Sequence, residues 1–141
     1  MLFRKLLLYA PLAHRASELL EEAVAAVIPE QMTERLHTAK SLAERLRNPL
    51  NGLEVAILLA ATRQDLQELQ ALEQMLERLR VILILPDATP QSIAQAHNLR
   101  PRYLTNIQSD FQDVAAVLRR IMAYPPQNSS SLLPRHLMER I

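Results

Sequence analysis

The 141-residue chain has no cysteine, no tryptophan and a single glycine, Gly52. The first absence excludes a disulfide framework, thiolate catalysis and cysteine-based zinc or iron–sulfur sites. One glycine excludes every glycine-rich phosphate loop. No apolar run approaches the ~20 residues that span a bilayer. Aromatic residues are only 4% of the chain and are not interleaved with a basic stripe, so a stacking platform for nucleic acid is absent.

Charge is almost balanced. Sixteen Lys and Arg against fifteen Asp and Glu give a formal +1, too even for a coat on nucleic acid. Lys5 and Lys40 are the only lysines; the other basic residues are arginine. Arginine favours bidentate and stacked contacts, though a genomic composition bias accounts for the skew equally well. What is abundant is apolar: 49% of residues are hydrophobic, enough for one domain with an ordinary core.

The N-terminal run, residues 2–9 followed by Ala10, Pro11 and Ala13, imitates a short signal peptide. The competing expectation is a strand buried on both faces, because the run is continuous and Pro11 interrupts it. The latter, with the absence of cysteine, gives a cytoplasmic expectation.

Five apolar runs alternate with helical patterns. A helix is expected with Leu12, Ala16, Leu19, Leu20, Ala23 and Val27 on one stripe, ended by Pro29. Residues 31–38 read as a weaker strand with Met32 and Leu36 alternating inward, and residues 39–47 as a short helix. Asn51-Gly52 marks a turn into a central strand at 53–61. Thr62 and Asp65 have capping-box spacing for one long helix carrying Leu66, Leu69, Leu72, Met75, Leu76 and Leu79. Residues 81–85 make a fourth strand. Thr89-Pro90 caps a helix, and residues 103–105 form a fifth strand. A second capping box is expected from Ser109 to Gln112, opening a last helix that ends near Ala123.

This alternation predicts an α/β fold: a doubly wound, five-stranded parallel sheet between two helical layers, of flavodoxin-like order 2-1-3-4-5. Residues 1–123 form that domain. Residues 124–131 read as a Pro/Ser-rich linker, and residues 132–141 as a short tail with Leu133, Leu137 and Ile141 at helical spacing. The tail is either a frayed end or a short helix that docks on a partner or on its own domain. Equally, the chain could be a regulatory segment of a longer protein.

Segment 99–107 (Leu-Arg-Pro-Arg-Tyr-Leu-Thr-Asn-Ile) resembles the Gly-Ala-x-x-Tyr-Leu-x-Lys-Pro stretch of two-component receiver domains, the CheY-like family. Leu36-His37-Thr38-Ala39 with Leu42-Ala43 resembles that family's second strand and helix, and the likeness runs over residues 2–123. The resemblance implies a phosphoryl-transfer pocket at the C-terminal ends of the strands: two acids holding Mg²⁺, an acceptor Asp, a Ser or Thr, and a Lys. Matched positions here are Ala10 and Pro11 for the acids, Leu59 (Ala60 with a one-residue slip) for the acceptor, Leu85 for the hydroxyl and Asn106 for the lysine. None can supply the chemistry, because Mg²⁺ takes carboxylate oxygens and a leucine is no nucleophile. The resemblance therefore implies a degenerate, pseudo-receiver: a non-catalytic signalling module, independent of phosphorylation, with no catalytic residue, metal or cofactor and with no nucleic-acid or membrane partner. Tyr103 matches the family's switch aromatic; its other reading is a half-buried strand aromatic with its hydroxyl in water.

Arg100, Arg102, Tyr103, Arg119 and Arg120 are expected on the face built from the Thr89-capped helix, the fifth strand and the last helix, where receivers meet partners or a second copy. A second hypothesis is a small-ligand or enzymatic flavodoxin-like domain using the strand-end crevice. Asp87, Arg63, Asn106 and His14 are its polar candidates. Asp87 reads equally as part of a plain turn, Arg63 as a solvated first-turn residue, and each of the four histidines as a surface side chain.

Overall fold

The computed structural model describes residues 5–12 and 14–123. Five parallel strands, β1 (Lys5–Tyr9), β2 (Thr33–Leu36), β3 (Leu53–Leu59), β4 (Arg80–Leu85) and β5 (Tyr103–Asn106), lie in the order β2-β1-β3-β4-β5. The fold is thus the expected flavodoxin-like, CheY-like one. Leu6–Leu8, Val55–Leu59 and Val81–Leu85 are buried on both faces, which is why these strands read as unbroken apolar runs rather than alternating ones. The N-terminal apolar run is accordingly an interior strand from Lys5 onward.

The sheet divides the core. One apolar cluster (Leu7, Leu42, Leu58, Leu66, Leu83, Leu85) lies beneath α2 (Ala39–Leu46), α3 (Arg63–Gln70), α4 (Glu73–Leu76) and α5 (Pro90–His97). The other (Leu6, Leu20, Leu59, Ile84, Phe111, Leu118) lies beneath α1 (Arg15–Ala25) and α6 (Gln112–Ala123). Local chemistry sets the boundaries. Thr62 accepts from the Asp65 N–H while the Asp65 carboxylate accepts from Thr62, the expected capping box. Thr38 and Ser41 make a second one on α2, and Pro90 occupies the first turn of α5. Asn51 and Gly52 both have positive φ, 51° and 95°, in the turn before β3. Arg45 clamps β2 to α2, donating from Nε to Glu34 at 2.6 Å and from Nη2 at 3.2 Å, and also reaches the Pro49 and Leu50 carbonyls.

Four expectations need correction. The single helix after Thr62 is broken at Ala71–Leu72 into α3 and α4. Leu66, Leu69, Leu72 and Met75 recur every three residues, whereas an α-helix turns in 3.6. The chain therefore tightens, with Leu72 N–H to Leu69 C=O and Met75 N–H to Leu72 C=O bonds, to keep that row on the core. Met32 and Leu36 do not share a face: Met32 closes a 3₁₀ turn at Glu30–Met32 ahead of β2, and the two side chains pack on opposite cores. In α1, Leu12 (69% exposed) and Leu19 (41%) point outward, because the helix starts only at Arg15 and its inward stripe is Ala16, Leu20, Ala23 and Val24. Finally, Ser109 and Gln112 form no capping box. Ser109 Oγ accepts from the Phe111 N–H and donates to Asp113, and Phe111, at φ 65°, delays α6 to Gln112 while its ring is fully buried. The linker and tail, 124–141, lie outside the described residues.

Candidate functional site

In an open parallel sheet the ligand crevice forms beyond the C-terminal strand ends. Here that rim is built from the residues following Tyr9, Leu36, Leu59, Leu85 and Asn106. Ala10 is buried against the α1/α6 core; its N–H donates to the Leu36 carbonyl and its carbonyl lies 3.0 Å from His37 Nδ1. The Pro11 carbonyl accepts from Ser17 Oγ at 2.6 Å. Both positions matched to the receiver acids thus present main-chain oxygens that are already engaged.

Leu59 and Ala60 are fully buried and face opposite cores, so a one-residue slip does not bring either to the rim surface. Leu85 is 2% exposed on the α3/α5 side. Asn106 pairs with Leu85 in the ladder and folds its Oδ1 back onto the Gln108 N–H at 2.9 Å. The acid that follows β3, Asp65, is occupied by the Ala61 and Thr62 N–H groups. Among the described residues no three His, Asp or Glu side chains gather closely enough to hold a metal ion. The receiver's Mg²⁺ therefore does not fit this donor set.

The ligand candidates separate. Arg63 and Asp87 come together, Nε to Oδ2 at 3.3 Å, and Arg63 also donates to Gln91 Oε1 and Thr89 Oγ1, tying α3 to the start of α5. Hydrogen bonds from Ser92 and Thr89, with the Thr89 N–H and Arg63 adding, hold the Asp87 carboxyl well below the usual range. Asp87 is thus a turn residue whose carboxylate is engaged by Arg63 and the start of α5. His14 stands apart as the N-cap of α1, its Nδ1 accepting from the Ala16 N–H at 3.1 Å. Asn106 is engaged in its own turn.

Tyr103 packs with the α1/α6 core, and its hydroxyl donates to Asp113 Oδ2 at 2.7 Å rather than to water. Leu85 belongs to the other core, so the sheet separates the aromatic from the matched hydroxyl position. Burial alone would raise the Asp113 carboxyl; hydrogen bonds from Ser109, Tyr103, Thr105 and the Val114 N–H outweigh it and bring it below its ordinary value. The same bond, with burial, raises the Tyr103 phenol. On the opposite core Tyr9 is 2% exposed, and burial, helped by the Asp65 and Glu68 charges, pushes its phenol up to about 12.

The four arginines have different surroundings. Arg100, at φ 49° and 81% exposed, leans toward Glu77 at 4.0 Å. Arg102 is exposed just before β5, and the charge of Arg120 is felt by the Tyr103 phenol. Arg119 instead lines a groove of about 280 Å³ between α1 and α6. The sequence alone does not single out His37, Ser17 or Asp113. His37 is the most findable of the three, since it directly follows a strand at the crevice rim.

No family model matches the chain, and no curated protein does. Solved structures do. A candidate pilus assembly-related protein of Burkholderia pseudomallei is 18% identical, with a TM-score of 0.63 over 85% of this chain and 90% of that one. A candidate pilus assembly protein, CpaE, of Burkholderia thailandensis is 16% identical, with a TM-score of 0.60 over 86% of this chain and all of that one. At such identities the likeness is one of fold.

Proposed function

We propose that this chain is a pseudo-receiver: a non-catalytic regulatory module that signals through protein–protein contact without aspartyl phosphorylation. The observation that carries the reading is the rim itself. All five positions where a receiver handles phosphate hold Ala10, Pro11, Leu59, Leu85 and Asn106, and the first four offer no ionisable group while Asn106 is turned into its own loop. The core beneath them is intact. A scaffold that keeps its packing but presents no metal ligand or nucleophile has its surface left to work with. The likeness of fold to candidate pilus assembly proteins is consistent with a signalling-type role, and assembly of a surface appendage is the process we propose it serves.

The test is incubation with Mg²⁺ and acetyl phosphate or beryllofluoride, read by intact mass and thermal shift. Unchanged mass and melting temperature are expected. A phosphoadduct, or stabilisation that depends on Mg²⁺, would overturn the reading.

A further inference from the structure

We propose that the α1/α6 face, not the face around β5, is where two copies of this chain meet, as a reversible two-fold dimer. The inference rests on the regulatory reading above and names its partner as a second copy.

The face around β5 is unsuited to self-association. Arg102 and Arg120 lie there, α5 and β5 contain no acid, and the nearest carboxylate, Asp113, is taken up by Tyr103 and Ser109. Two copies apposed there would set like charges against each other.

The α1/α6 face differs in three ways. A groove runs between the helices, floored by Ala23 and Ala115. Leu19, 41% exposed, stands on its wall and gives an apolar side chain to insert into a facing groove. Its charges are of both signs: Glu18 and Glu22 are exposed on α1 and Arg119 on α6, with Asp110 lining the groove just ahead of α6. Among the described residues Glu18, Glu22 and Arg119 form no ion pair.

A two-fold axis makes each patch meet its own copy, so a residue i that touches j is matched by j touching i. Laying Glu18 and Glu22 of one copy on Arg119 of the other, with Asp110 at the far end of α6, pairs opposite signs twice and seats both Leu19 side chains. A partner of single charge would answer only one helix. Helices of 11 and 12 residues are ~16–18 Å long, which places the interface at the small end of the specific range and makes the dimer a weak one.

Sedimentation equilibrium on the full-length protein tests this with E22R and R119E, both on exposed positions. The unaltered chain is expected to dimerise reversibly. Each variant alone sets like charges across both contacts and should dissociate at least ~10-fold more readily. Mixed in equal amounts the two variants should pair with each other, because both cross-contacts are then attractive, and dimer should return. A monomeric parent, a dimer indifferent to both changes, or a mixture that stays monomeric would overturn the proposal. So would a monomer in which the substitutions alter hydrogen exchange of residues 132–141, which would assign the groove to the chain's own tail. The underlying reading fails separately: a phosphoadduct sinks it whatever the oligomeric state, whereas a monomer inert to beryllofluoride sinks only the dimer.

Discussion

Tyr103 and Asp113, ten residues apart in sequence, meet at 2.7 Å and fasten edge strand β5 to helix α6. Tyr103→Phe removes the donor and leaves a half-buried carboxylate one partner short, so a loss of about 1 kcal/mol is expected in chemical denaturation. The pH dependence has a definite sign. Asp113 titrates below its ordinary value when folded, so its contribution is complete above the usual carboxylate range and is lost as pH falls through the folded value. The Tyr103 phenol is raised, so its contribution holds below about 10 and is lost as pH climbs through the folded value. A Y103F protein should therefore differ most from its parent between those limits, and a constant difference down to strong acid would count against the bond.

The Tyr9 phenol should ionise well above the ordinary tyrosine range. With its phenol pushed up to about 12, an ultraviolet titration of the parent minus that of Tyr9→Phe should isolate a step near that pH. A step near 10 would mean that the ring is not sealed beneath α2 and α3.

Restoring an acceptor carboxylate should damage the fold rather than recover chemistry. Leu59 is fully buried among apolar side chains, so Leu59→Asp is expected to cost about 3–5 kcal/mol. Burial raises such a carboxyl, so the deficit should shrink as pH falls and the group becomes neutral. A variant as stable as its parent that also binds Mg²⁺ would contradict the packing described.

Asp87→Asn should weaken the start of α5. The carboxylate is held ionised by Ser92, Thr89 and Arg63, a stabilisation present above the normal carboxylate range and lost as pH drops through the depressed folded value. Thermal melts of the two proteins should diverge near neutrality and converge in acid.

Arg45→Lys keeps the charge but loses the two-pronged contact with Glu34 and the reach to Pro49 and Leu50. A loss of roughly 1 kcal/mol is expected, measurable by denaturation, because an ammonium cannot reproduce the planar fork.

The strands were legible because β1, β3 and β4 are buried on both faces and show as unbroken runs of Leu, Ile and Val, although the first of these also imitates a signal peptide. Thr62 with Asp65 and Thr89 with Pro90 carried two helix starts in plain view. The break at Ala71–Leu72 was present as a spacing of three but is easily taken for ordinary amphipathicity. Phe111's positive φ had no sequence signal, since a buried phenylalanine is the last residue expected there. At the rim, the lost receiver positions could be read by alignment alone. That His37, Ser17 and Asp113 take up the polar contacts around them depends on side-chain direction across separate elements, which periodicity does not encode.

Both outer strands, β2 and β5, are four residues long. Glu34 and Arg35 give β2 charged flanks, and Pro101 stands just ahead of β5. Short, charged or proline-flanked borders are poor templates for a further strand. Crowding this protein at high concentration should therefore not make it polymerise edge to edge into fibres.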